Sequence, residues 1–158
     1  MSCGIALTVA LALSNPEVAL AAAQPPVAAD APVSVAGEPL FVDIVARSTA
    51  LKALVDGWAE ARAADQAGFF AGQAFSGFEA QAGELAALDM QGHLILKERG
   101  TDNDLKCILR GISEDIPVKI QAVRDATDPT ERAAALSDLS YLLNDNVEVI
   151  TSPPKPEV

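Results

Sequence analysis

Residues 128–150, DPTERAAALSDLSYLLNDNVEVI, decide how the rest of the chain is read. Asp128 supplies an acid at an N-cap, Pro129 takes the first helical position, and Glu131 adds an acid two residues later. Leu136, Leu139, Leu143, Val147 and Ile150 then recur close to a heptad stripe. Such a helix has one apolar face that needs partners. Val147 to Ile150 also admits an extended reading. Pro153, Pro154 and Pro156 stop the pattern and make 151–158 a stiff tail.

Working upstream, the same signature repeats. From about Asn103, Leu105, Ile108, Leu109, Ile112, Ile116, Ile120 and Val123 keep one face, and Pro117 inside the run predicts a kink or short break. Before it, Lys97, Glu98 and Arg99 precede Gly100, which is a helix stop signal. Thr101, with Asp104 three residues on, reads as the cap of the next helix. Leu85, Leu88, Leu94, Ile95 and Leu96 carry the preceding helix. The first helix spans 40–63, with Leu40, Ile44, Leu51, Val55 and Trp58 on its apolar stripe.

Between these two helices, Ala64, Gly68, Gly72, Ser76 and Ala80 recur every four residues. On a helix they form a strip of small side chains, flanked by Phe69, Phe70, Phe75 and Phe78. The strip reads either as a ligand or docking groove or as tight helix packing. Glycine weakens a helix, so a break near Gly77 or Gly83 is the other expectation. Four amphipathic helices with short connections predict an all-α fold, an antiparallel up-and-down four-helix bundle over 40–150.

Composition agrees. Alanine supplies 30 of 158 residues and aromatics only 4%. Asp and Glu outnumber Lys and Arg by 22 to 11, for a net charge of -11. That charge argues against nucleic acid and anionic membrane surfaces as partners. Residues 1–23 read as an export signal: an apolar run from Ile5 to Leu13, an interruption at 14–17, then small residues with Ala21 and Ala23 in A-x-A spacing. No Lys or Arg precedes the run, which suits the trailing half of a two-part targeting sequence; a retained N-terminal anchor is the alternative. Residues 24–39, rich in proline and alanine, read as an extended linker.

The search for chemistry is largely negative. The chain has no phosphate loop, no C-x-x-C and no helical Glu-x-x-His pair. His93 is the only histidine, and Met90, three residues before it, would share a haem iron with it only under strain. No cofactor, metal site, catalytic residue or small-molecule substrate is expected. Cys107, flanked by Lys106 and Arg110, is either a thiol handle or an inert, partly covered thiol. Lys97, Arg99, Lys106 and Arg110 gather positive charge at one turn of an acidic chain. They read as dipole capping or as a docking patch for an acidic partner, salt-sensitive in the second case.

Three stretches carry a family resemblance: Ala19-Leu-Ala-Ala-Ala23, the segment DLKCILRGISEDIP at 104–117, and YLLNDNVEVI at 141–150. With them the chain resembles the PsbQ-like extrinsic subunits of photosystem II, of the algal four-helix-bundle type. The resemblance implies a non-catalytic protein of the plastid thylakoid lumen, peripheral to the membrane. It implies docking on the photosystem II core and on other extrinsic lumenal proteins, with calcium and chloride retention at the oxygen-evolving centre. Its contact residues do not transfer one by one. The physical candidates are Lys97, Arg99, Lys106 and Arg110, together with Tyr141, Asn144 and Asp145 at the polar end of the last helix. The alternative is an exported bacterial periplasmic bundle with a binding or chaperone-like role, and a third class is a thiol- or haem-dependent redox protein.

Overall fold

Helix boundaries follow from local chemistry. In the computed structural model, residues 34–101 and 103–152 are described. The expected export signal at 1–23, most of the expected linker (24–33) and the tail at 153–158 lie outside them. α1 runs Pro39–Glu60, with proline in its first turn, where a missing N–H costs nothing. α2 runs Gln73–Arg99, α3 Asn103–Asp125 and α4 Pro129–Thr151. No strand occurs among the described residues.

The stop at Gly100 forms as expected. Gly100 adopts φ +66, its N–H reaches the Lys97 carbonyl at 3.3 Å, and the Thr101 N–H reaches Leu96 O at 3.3 Å. This pair of bonds closes the helix in a Schellman turn. α3 starts at Asn103, which leaves Thr101 in the turn. The start of α4 is also as expected: Asp128 Oδ1 accepts from the N–H groups of Thr130 and Glu131 at 2.7 and 3.0 Å. Glu131 Oε2 reaches back to the Thr127 N–H at 3.1 Å, which completes a reciprocal cap. α4 stays helical through Val147–Ile150, so the extended alternative does not apply.

One expectation is corrected and another is narrowed. The small-residue strip at 64–80 is not one helix. Ala63–Asp65 and Phe69–Ala71 are short 3₁₀ turns, Gly68 takes φ +82, and Gly72 caps α2. Only Ser76 and Ala80 are on α2, and both are exposed. Continuous helix has already ended at Glu60, and Gly68 supplies a left-handed conformation within the connection. No break occurs at Gly77 or Gly83, which lie inside the unbroken α2. Arg62 also adopts φ 52, which is uncommon for a residue with a Cβ. Second, Pro117 does not end α3, as expected, and of the kink or short break expected there the break does not occur. Pro117 is exposed, while Ile112, Ile116 and Ile120 bury the opposite face. Ser113, whose carbonyl loses its usual partner to the proline, is tied across to α2 by its hydroxyl, which donates to Ala86 O at 2.8 Å.

Each helix packs on its sequence neighbours, and α4 closes the ring on α1. Cross-helix bonds run in opposite order along three of the pairs: Glu38 with Arg99 and Arg47 with Glu84 for α1/α2; Glu79 with Arg124 and Ala86 with Ser113 for α2/α3; Ser48 with Asn146 and Asp56 with Ser140 for α4/α1. Lys119 with Asp138 joins α3/α4. The fold is a four-helix bundle with up-and-down connections, as the periodicity predicts. Its core holds Phe41, Ile44, Leu85, Leu96, Leu109, Ile116, Leu139, Leu143 and Ile150, all 1% exposed or less.

Candidate interaction surfaces

The predicted basic residues lie on the last turn of α2 and the first two turns of α3, and two of them are already committed. Arg99 forks onto Glu38, just before α1, with both bonds at 2.8 Å. That pair keeps the Glu38 carboxyl below its ordinary pKa and staples the start of α1 to the end of α2. Arg110 Nε donates to Glu114 Oε1 at 2.8 Å along its own helix. Lys97 is exposed, and Lys106 and Cys107 are half-buried. His93 reaches the Lys106 carbonyl through Nδ1 at 2.6 Å, so it ties α2 to α3 beneath the same turn. The turn is therefore a laced joint, with Lys97 exposed beside it.

Tyr141, Asn144 and Asp145 occupy one stretch of α4, but not one surface. Tyr141 is 72% exposed. Together with Asn144 it borders a groove of about 530 Å³ between α1 and α4. Asp145 is half-buried and does not line that groove. Asn144 Nδ2 donates to Glu148 Oε1 at 2.7 Å. Across the groove, Lys52 donates to Asp56 at 2.7 Å and Ser140 donates to the other Asp56 oxygen, which together hold that carboxyl below its ordinary range. The groove continues, through Ala59, Glu60, Ala133 and Leu136, into a second hollow of about 500 Å³ bounded by Trp58, Arg62 and Pro129. The small side chains of Ala59 and Ala133 leave this hollow open; the sequence reading did not find it, since it depends on which alanines of two distant helices meet.

The phenylalanines flanking the small-residue strip do not line a groove. Trp58, Phe69, Phe70, Phe75 and Phe78 pack ring against ring, with centroids 5.0 to 6.2 Å apart. The Arg124 guanidinium lies 4.8 Å from the Phe75 centroid and that of Arg132 lies 5.9 Å from Phe70. Arg132 also donates to Asp65 at 2.7 Å and to Ala126 O at 2.9 Å. This cluster roofs one end of the bundle and pins the α1–α2 connection. The phenylalanines pack against one another, whereas the small residues form no helical strip to pack.

One cluster went unseen in the sequence. Ser48, Asp89 and Asn146 are each 0% exposed. Asn146 Nδ2 lies 3.1 and 3.0 Å from the two Asp89 oxygens and 3.1 Å from Ser48 Oγ. Burial pushes the Asp89 carboxyl up to about 7, and the bond from Asn146 only partly offsets this. Each of the three occupies a core position in its helix, and the apolar-stripe reading passes over polar residues there. Among the described residues no group of three or more His, Cys, Asp or Glu is placed to hold a metal ion. No described helix is long and apolar enough to cross a membrane.

Comparison with known proteins adds no assignment: no family model matches the chain, and no curated protein or solved structure matches it.

Proposed function

We propose that this bundle is a non-catalytic extrinsic subunit of photosystem II in the plastid thylakoid lumen, peripheral to the membrane. It docks on the core and on other extrinsic proteins and helps the oxygen-evolving centre retain calcium and chloride. The observation that carries the reading is the resemblance of 104–117 and 141–150 to PsbQ-like subunits, joined to the transfer-type leader ending at Ala23. The bundle supports it in one respect: both stretches fall on helices, α3 and α4, that belong to a single four-helix bundle.

On this reading the contacts are made by two separate patches. Lys97 and the α2–α3 turn supply long-range attraction for an acidic partner, which weakens with salt. Tyr141 supplies an exposed aromatic anchor beside the α1/α4 groove. Moderate salt should release the protein from photosystem II-enriched membranes, with a loss of oxygen evolution that calcium or chloride restores. Recovery of the native protein solely from a bacterial periplasmic fraction would overturn the assignment and favour an exported periplasmic bundle.

A further inference from the structure

Asn146 brings two donors and one acceptor atom to a site that engages only its N–H edge. Nδ2 faces three acceptor atoms, on Asp89 and Ser48, while Oδ1 is buried without a partner. An ionised carboxylate accepts and never donates. A neutral carboxyl carries one O–H, and Oδ1 is the acceptor that suits it. A half-turn of the terminal amide exchanges Oδ1 with Nδ2 within the same volume, since this torsion is broad and two-fold. Oδ1 would then be placed to accept the hydroxyls of Asp89 and Ser48, and the Nδ2 donors would take the unpartnered position that Oδ1 holds. The site satisfies one edge of the amide at a time, and the proton on Asp89 decides which.

We propose that Ser48, Asp89 and Asn146 form a proton-operated clasp joining α1, α2 and α4, closed when Asp89 is neutral and loosened when it ionises. Among the described residues no charged group offsets the burial of Asp89. α1 presents Ser48, while its neighbour Arg47 turns outward to Asp43 and Glu84. α3 sets Leu109 against Gly92, one turn from Asp89, and its Lys106 meets α2 through a backbone carbonyl. α4 presents Asn146; Asp145 beside it is half-buried and Glu148 is bonded to Asn144. On α2 itself the nearest titratable group along the core face is His93, whose Nδ1 is engaged by that Lys106 carbonyl. An anion at Asp89 would face the amide, the hydroxyl and hydrocarbon.

The sign follows from linkage. The folded state holds the Asp89 proton up to about pH 7, and the unfolded chain releases it near 3.8. Stability is full below the lower value, falls as pH rises between the two, and is flat above the higher one. Between pH 5 and pH 8 the folded-to-unfolded ratio should drop about a hundredfold from this group alone. Glu38 and Asp56, whose carboxyls are held low by Arg99 and Lys52, act in the opposite sense and only at more acidic pH.

The test is urea unfolding of the full chain across pH 5 to 8, in wild type, Asp89→Asn and His93→Gln, with carbon-13 NMR of the Asp89 carboxyl in the wild type. The expected result is a steep loss of stability in wild type and His93→Gln, a flat profile in Asp89→Asn, and an Asp89 resonance that titrates near neutrality. An unchanged slope in Asp89→Asn, a slope abolished by His93→Gln, or an Asp89 carboxyl titrating with the surface aspartates would each overturn the clasp. Should Asp89→Asn not fold, the wild-type resonance decides by itself.

Discussion

The roofed end of the bundle and its polar waist bury side chains by opposite means. At the roof, Trp58 and four phenylalanines fill space with rings, and two arginines lie over their faces. Apolar burial of this kind is non-directional and tolerates small shifts. At the waist, Ser48, Asp89 and Asn146 are fully enclosed, but one amide edge finds no partner. Burying polar groups that way adds little net stability and makes the helix register matter, because a slipped helix would leave all three unpaired. The roof supplies stability, and the waist supplies specificity and a response to pH.

The contrast breaks most visibly at Phe75, which touches Trp58, Phe69, Phe70 and Phe78 and is 1% exposed. Phe75→Ala should cost about 3–5 kcal/mol, read as a fall in the denaturation midpoint with Trp58 fluorescence as the probe. A loss under 1 kcal/mol would mean that the roof does not carry the fold. Next in size is Gly92→Ala near the waist. A Cβ there would sit 3.1 Å from Leu109 Cδ1 and 3.3 Å from Phe41 Cε1, both in fully buried side chains. Overpacking should outweigh the gain in helix propensity and cost about 1–2 kcal/mol net. Gly83→Ala, on the same helix with open space around it, should instead stabilise by about 0.5–1 kcal/mol. Equal effects at the two glycines would remove the claim that the helices approach closely at the waist.

Ser48→Ala sharpens the comparison further. It removes one hydrogen-bond partner of the Asn146 amide and leaves Asp89 in place. The expected loss is about 1 kcal/mol by thermal denaturation at pH 6, well below that at Phe75.

The sequence made the roof's surroundings legible and hid the waist. α4 was readable because Asp128, Pro129 and Glu131 each act locally, through cap bonds that need no tertiary partner. The stripe on α3 was readable for a similar reason: six of its seven apolar positions are buried, with Ile108 only partly so. The four-residue spacing at 64–80 misled because periodicity says nothing about φ: α1 ends at Glu60, and Arg62 at φ 52 and Gly68 at φ +82 turn the chain before α2 begins. Ser48, Asp89 and Asn146 were invisible because polarity marks a residue as outward unless its partners are known, and those partners are 41 or more positions away in the chain. For the candidate docking residues, the sequence located positive charge at the α2–α3 turn but not the carboxylates that take up part of it. Nor could it separate Asp145 from Tyr141 and Asn144 on one helix.

The smallest expected effect on stability is also the most informative about the second end of the bundle. Arg99 and Glu38 are an exposed bidentate pair, 43% and 37% accessible in their side chains. Pairs of this exposure contribute little, because solvent and salt screen them and two long side chains must be held in place. Arg99→Ala should therefore shift the thermal midpoint only slightly, and less still in 0.5 M salt. If the turn is a docking surface, the same substitution should weaken association with photosystem II membranes at low salt by far more than it weakens the fold. Lys97→Ala should do the same with no change in stability. If Arg99→Ala instead destabilises the bundle markedly and leaves membrane association intact, the arginine is a structural staple, and Tyr141 on α4 becomes the remaining candidate for the contact.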